Sequence, residues 1–181
     1  HLSYFPQRLL LNRADLVLTV SETSRREILE AKLTKRTVEV VHNASELEIA
    51  SPIEPRHDSE HLVYMGSYSR YKNVEFLIKS MALLPEMTLV LLSRLSDTKR
   101  KKLSRLADAV GAKVQFENGV TETEYLAWLR KGFALISASK DEGFGIPIVE
   151  AMSQGLPVIV SDISIFQEVA GNAGVFFNNS K

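Results

Sequence analysis

The feature that most constrains this chain is the alternation of short apolar runs with amphipathic segments. Eight runs rich in Val, Ile and Leu, at residues 15–20, 38–42, 61–66, 87–93, 113–117, 133–139, 157–161 and 174–177, are strand candidates. The stretches behind them carry helix or loop signals, so successive strands can return in the same direction. Repeated strand–helix units predict an α/β fold, a Rossmann-like parallel sheet with helices on both faces. The punctuation agrees. Ser21 stands as an N-cap before Glu22, and Thr121 with Glu124 forms a capping box. Gly111 and Gly155 sit where helices should stop, and Pro147 suits the first turn of a helix that runs through Glu150 and Met152. Between Asn43 and His61 the periodicity lapses into a polar, proline-bearing stretch around Pro52 and Pro55, which predicts a linker at 44–60. It separates a strand–helix–strand piece, 1–43, from a second unit of about six strands, 61–181.

Charge narrows the function classes. Among 181 residues, 22 basic and 22 acidic side chains leave no net charge, so no global field draws the chain to nucleic acid or anionic lipid, and any basic site is local. The absence of cysteine excludes disulfides and thiolate metal sites, and four dispersed histidines offer no zinc spacing, so no metal is expected. The chain starts at His1 without Met and its last strand lies close to Lys181, which raises the expectation of a fragment.

In open parallel sheets, ligands bind beyond the carboxyl ends of the strands, so the loops there are the places to look for chemistry. The first, Gly66-Ser67-Tyr68-Ser69-Arg70-Tyr71-Lys72-Asn73, joins a glycine to two cations ahead of a helix and suits an anion. Solvated loop cations are the plain alternative. In the second, Lys140 to Glu150, Gly143 and Gly145 let a ligand approach the backbone, while Glu142 and Glu150 can face one crevice and accept hydrogen bonds from vicinal hydroxyls. Against this, Glu142 reads equally as a charge that complements a helix end, and Glu150 as an exposed helix residue. The third, Glu117-Asn118-Gly119-Val120-Thr121, can read a flat base edge or be a simple turn. His42 beside Asn43 is the one histidine placed for a site, with a satisfied structural histidine as the favoured reading, and Ser153, Ser161 and Ser164 lack a nucleophile-elbow context.

At these residues the chain resembles the family-4-type retaining glycosyltransferases of the two-domain GT-B fold. Ser139-Lys140-Asp141-Glu142-Gly143-Phe144-Gly145-Ile146-Pro147-Ile148-Val149-Glu150-Ala151-Met152 is similar to their S-x-x-E-G-F-G-x-P-x-x-E-A-M signature, and Gly155-Leu156-Pro157-Val158-Ile159 continues it. The loop from Gly66 to Lys72 is similar to the one in which a lysine meets the donor diphosphate, and Ala14 to Glu22 resembles the last strand of the acceptor domain. The resemblance implies a nucleoside-diphosphate-sugar donor, a glycan or lipid-linked acceptor, hexosyl transfer with retention, and no metal or cofactor. It implies Lys72 on the diphosphate, Glu142 on the sugar, Glu150 on the ribose, and backbone amides of Gly143, Phe144, Gly145 and Ile146 toward sugar or phosphate. It also brings Gly66, Ser67 and Arg70 to the diphosphate side and Asn118, Gly119 and Val120 to the base. Residues 1–43 then become a remnant of the N-terminal acceptor domain and 61–181 the donor-binding domain of a cytoplasmic enzyme, with room for peripheral membrane contact through the N-terminal domain. Ser67 replaces the family's usual arginine, and Asn43-Ala44-Ser45-Glu46 replaces its Asn-Gly-Val-Asp hinge. A non-catalytic nucleotide-sugar-binding module and a related epimerase are the competing readings.

Overall fold

A computed structural model describes residues 5–47 and 58–179. All eight anticipated strands form, each inside its apolar run. β1 (Val17–Thr19) and β2 (Val38–Val40) make a two-stranded parallel sheet, with Val17 opposite Val38. The others, β3 (His61–Tyr64), β4 (Thr88–Leu91), β5 (Val114–Phe116), β6 (Ala134–Ser137), β7 (Val158–Ser161) and β8 (Gly174–Phe177), form a six-stranded sheet in the order β5-β4-β3-β6-β7-β8. Every pairing is parallel. The chain winds outward from β3 to β5, then returns to lay β6 on the other side of β3. That reversal opens a crevice beyond the carboxyl ends of β3 and β6.

Side-chain alternation builds a core on each face. Leu62, Tyr64, Leu89 and Leu91 pack against Leu77 and Ile78 of α3 (Val74–Ser80) and Leu103 of α4 (Asp97–Val110). Val63, Val90, Leu135 and Val158 point the other way. They meet Leu129 of α5 (Glu122–Lys131), Ile148 of α6 (Ile146–Ser153) and Phe166 of α7 (Ser164–Ala170). Each such large side chain contributes about 1.5–3 kcal/mol by leaving water.

The helix punctuation follows the sequence. Ser21 caps α2 (Glu22–Glu30) by accepting from the Ser24 amide, and the Thr121–Glu124 capping box opens α5. Gly111 closes α4 in the left-handed conformation, at φ 70°, and Pro147 is the second residue of α6. One helix was not expected, α1 (Phe5–Arg13), because Leu9, Leu10 and Leu11 run consecutively and give no helical spacing. Residues 48–57 of the expected linker, with His57, lie outside the described residues, as do His1 and Lys181. Leu47, at the start of that stretch, is buried in the core beside Tyr125 and Leu129. None of residues 43–46 has a positive φ, so this hinge tolerates Ala44 and Ser45 without strain.

Candidate active site

The β3–α3 loop turns once as a short 3-10 helix, Arg70–Lys72, and ends on Asn73 in the left-handed region, at φ 55°. This turn sends Lys72 toward the carboxyl end of β6, where its ammonium donates to the Glu142 carboxylate. Ser139, fully buried, donates to the same carboxylate at 2.8 Å. Lys72 and Glu142 side chains are 16% and 12% exposed, so water screens the pair little. Glu142 precedes α6 by four residues and is engaged by Lys72, not by a helix end.

Around this pair lies a cleft of about 310 Å³, lined by Lys72, Glu142, Gly143, Phe144, Gly145 and Ile146, among others. Val20 and Asn43 reach it from the N-terminal unit. The amides of Gly143, Phe144 and Gly145 make no hydrogen bond among the described residues, and Gly145 opens α6 without a side-chain cap. Free amides beside a helix N-terminus and a lysine form an anion-binding geometry. Gly66, at φ 154°, donates its amide to Ser93 Oγ at 3.0 Å, and a methyl group on it would come within 3.0 Å of Tyr64 Oη and 3.8 Å of Lys72 Nζ. The Ser67 carbonyl accepts from that Tyr64 hydroxyl at 2.7 Å.

Several expected site residues do not line this cleft. Arg70 lines a different cavity from Lys72, on the other side of their shared loop. Glu150 is not among the residues lining the 310 Å³ cleft; it is half-buried on α6 and accepts from Tyr125 Oη at 2.8 Å. Asn118 spends both amide atoms on Leu95, accepting at 3.0 Å and donating at 3.3 Å. Gly119 takes a positive φ of 80° beside Arg94, and Val120 packs against the core.

Burial first, then the Glu150 charge and the hydrogen bond to it, hold the Tyr125 hydroxyl well above its ordinary range. Tyr125 is therefore the donor and Glu150 the acceptor at every physiological pH. Tyr125→Phe keeps the ring packing and removes that donor, so a thermal melt should show a loss of about 1 kcal/mol.

Glu168 is a residue that no sequence signal had marked. From α7 its carboxylate accepts from the Glu22 amide at 2.7 Å, and from the Thr23 amide and hydroxyl at 2.8 Å each. His42 Nε2 stands 3.5 Å away, and the His42 ring packs on Phe144 with centroids 6.0 Å apart. Ser21 donates to the Gly143 carbonyl at 3.2 Å. The N-terminal unit thus grips both α7 and the loop that carries Glu142. Burial raises the Glu168 pKa, but the hydrogen bonds from Glu22 and Thr23 outweigh it and leave the group below its ordinary range. A depressed folded-state pKa means that this clamp is fully present above the unfolded value of about 4.3 and is lost as pH falls through the lower folded value. Glu168→Gln should therefore flatten the acid limb of stability against pH, read by melting temperature. A carboxylate that caps a helix from 146 positions away leaves no local pattern.

The family model for glycosyl transferases group 1 matches residues 46–180. The O-antigen chain mannosyltransferase RfbU of Salmonella typhimurium is 29% identical over 177 residues, covering 96% of this chain and 50% of that protein. The GDP-mannose:cellobiosyl-diphosphopolyprenol alpha-mannosyltransferase of Xanthomonas oryzae pv. oryzae is 32% identical over 131 residues, covering 66% of this chain and 34% of that protein. The chain spans about half the length of the first of these relatives and a third of the second. Among solved structures, sucrose-phosphate synthase from Thermosynechococcus elongatus superposes with a TM-score of 0.83 at 23% identity, over 98% of this chain and 49% of that one. Anabaena HepE in complex with UDP and glucose gives 0.78 at 22% identity, over 98% and 54%. These two likenesses establish the fold.

Proposed function

This chain belongs to the glycosyl transferases group 1 family, and from that premise we propose that it is the donor-binding half of a retaining hexosyltransferase. The donor in this reading is a nucleoside-diphosphate sugar, with GDP-mannose first in line because two relatives are named as mannosyltransferases, one of them GDP-mannose-dependent. The acceptor is a glycan or a lipid-linked saccharide. The observation that carries the proposal is the Lys72–Glu142 pair, held at the sheet's switch point beside the amides of Gly143, Phe144 and Gly145, which have no partner among the described residues.

Without ligand, Lys72 neutralises Glu142. An arriving diphosphate competes for the ammonium and for the loop amides, and releases the carboxylate to accept from a sugar hydroxyl. Ser139 keeps that carboxylate oriented during the exchange. As the bond from the anomeric carbon to the diphosphate breaks, Lys72 and the amides stabilise the charge on the leaving group, without a bound metal. Glu150, fixed by Tyr125, takes the ribose hydroxyls. The acceptor oxygen then bonds on the face that the diphosphate leaves, and its proton passes to the departing diphosphate oxygen.

Among the described residues no helix is long and apolar enough to cross a membrane, and a cytoplasmic site of action belongs to the same proposal. The test is a melting-temperature and calorimetric series with GDP-, UDP- and ADP-sugars. One of them should stabilise this chain by mass action, with chelator present. Silence across the series would overturn the donor assignment. Product analysis on the full-length protein then separates transfer, with its anomeric outcome, from epimerisation.

A further inference from the structure

The 3-10 turn that sends Lys72 to Glu142 sends Arg70 the opposite way, into a cavity of about 510 Å³ on the α3 and α4 side of the sheet. We infer that this cavity is a second anion site, separate from the donor cleft, and that it takes a phosphate-bearing ligand. Its cations arrive from three strand ends: Arg70 after β3, Lys99 and Lys102 on α4 after β4, and Lys140 after β6. Glu75 is the acid in the lining, and Lys102 occupies it at 2.7 Å. That hydrogen bond, above all, holds the Glu75 carboxyl below its ordinary range.

Lys102 takes the Glu75 contact, and Arg70, Lys99 and Lys140 leave a positive excess in the same lining. The Arg70 and Lys140 side chains enter no hydrogen bond or ion pair among the described residues, and Lys99 donates only to the Tyr68 carbonyl, over the Tyr68 ring at 5.7 Å. Arg100, Lys101 and Arg105, elsewhere on α4, line a separate hollow together with Asp97 and lie outside this cavity. In a chain with no net charge, the excess in the cavity lining is a local concentration.

Solvated lysines on one exposed helix face would spread over a convex surface. Here Arg70, Lys99, Lys102 and Lys140, though each exposed, border one hollow, with their backbones set by two loops and the first turns of α4 at the carboxyl edge of a parallel sheet. A guanidinium offers a phosphate a two-pronged donor, and the two ammonium groups add mobile charge. The cavity is wide enough for a diphosphate or for a phospholipid headgroup. The shared chemistry is the phosphate, and either source would be read by the same cations.

Pyrophosphate is the probe for the soluble source, titrated calorimetrically into a Lys72→Ala background so that the donor cleft does not compete. Binding should persist there, weaken as salt rises, and fall about tenfold or more when Lys99→Gln and Lys140→Gln are added. Co-sedimentation with phosphatidylcholine vesicles, with and without phosphatidylglycerol, probes the lipid source. Retention on the anionic vesicles alone, lost in the Lys99→Gln, Lys140→Gln variant, identifies a headgroup. Pyrophosphate binding without vesicle binding identifies a soluble phosphate, and both outcomes support the site. Lys99→Gln, Lys140→Gln should leave nucleoside-diphosphate binding by the otherwise native chain unchanged, which separates this inference from the donor assignment. Failure to bind either probe, or binding insensitive to Lys99 and Lys140, overturns it.

Discussion

Lys72→Ala should weaken nucleoside-diphosphate binding by on the order of a hundredfold, and adding Glu142→Gln to it should recover about tenfold of the loss. A lysine ammonium and a phosphate charge about 5 Å apart in an effective dielectric near 20 interact by about 3 kcal/mol, and with the Lys72 and Glu142 side chains mostly shielded from water that scale applies here. Losing the ammonium therefore removes about two decades of affinity for the diphosphate. It also strands Glu142, which Ser139 alone then partners, and this carboxylate repels the incoming anion. Neutralising it relieves the repulsion, though incompletely, since Glu142 in the Lys72→Ala chain can rotate toward solvent. Nucleoside binding should move little in both variants, because a nucleoside brings no charge to the cleft. Calorimetry on diphosphate and nucleoside together checks the order. A double variant no better than Lys72→Ala would show that the pair is not what a diphosphate displaces. In the full-length protein, Glu142→Gln alone should lower turnover by on the order of a hundredfold while the donor still binds, as expected for a contact that strengthens with developing charge.

The second large effect concerns stability. Gly145→Ala should cost about 2–5 kcal/mol, and Gly143→Ala almost nothing. Gly145 has φ 102°, where an L side chain pays roughly 1–2 kcal/mol. Its new methyl would stand 3.0 Å from Phe166 Cε1 and 3.2 Å from Ile148 Cδ1. Both neighbours are 1% exposed and locked between α6, α7 and the sheet, so they have nowhere to go, and overpacking adds about 1–3 kcal/mol. A fall in melting temperature on the order of 10 °C follows for a chain of this size. A methyl on Gly143 meets nothing within 4 Å, and its φ is not positive. A Gly145→Ala melting temperature close to the native one would refute the steric account. Equal, large losses would place a second constraint at Gly143 through its carbonyl bond from Ser21.

These two glycines mark the division between local and tertiary information. The periodicity of the apolar runs carried the eight strands, their common direction and the layered fold, because burial on both faces of a parallel sheet demands it. Ser21, Thr121, Glu124 and Gly111 carried the helix ends, since a cap needs only neighbours within a few residues. The family signature brought Glu142, Gly145 and Glu150 forward as a group. It could not say that Gly145 is wedged by Phe166 while Gly143 faces open space, because Phe166 comes from the next helix. Nor could it orient loop cations. Arg70 and Lys72 are two residues apart and read alike, yet a single 3-10 turn aims them at different cavities, and Lys72 is fixed by a carboxylate 70 positions later. The Glu168 clamp spans twice that separation. Sequence by itself thus determined which elements form and which loops gather at the sheet's carboxyl edge, through sterics and periodicity that act within a few residues. The directions in which the charged side chains leave those loops, and the partners that hold them, were decided only when distant segments packed together, because a loop side chain takes its orientation from contacts that local sequence does not contain.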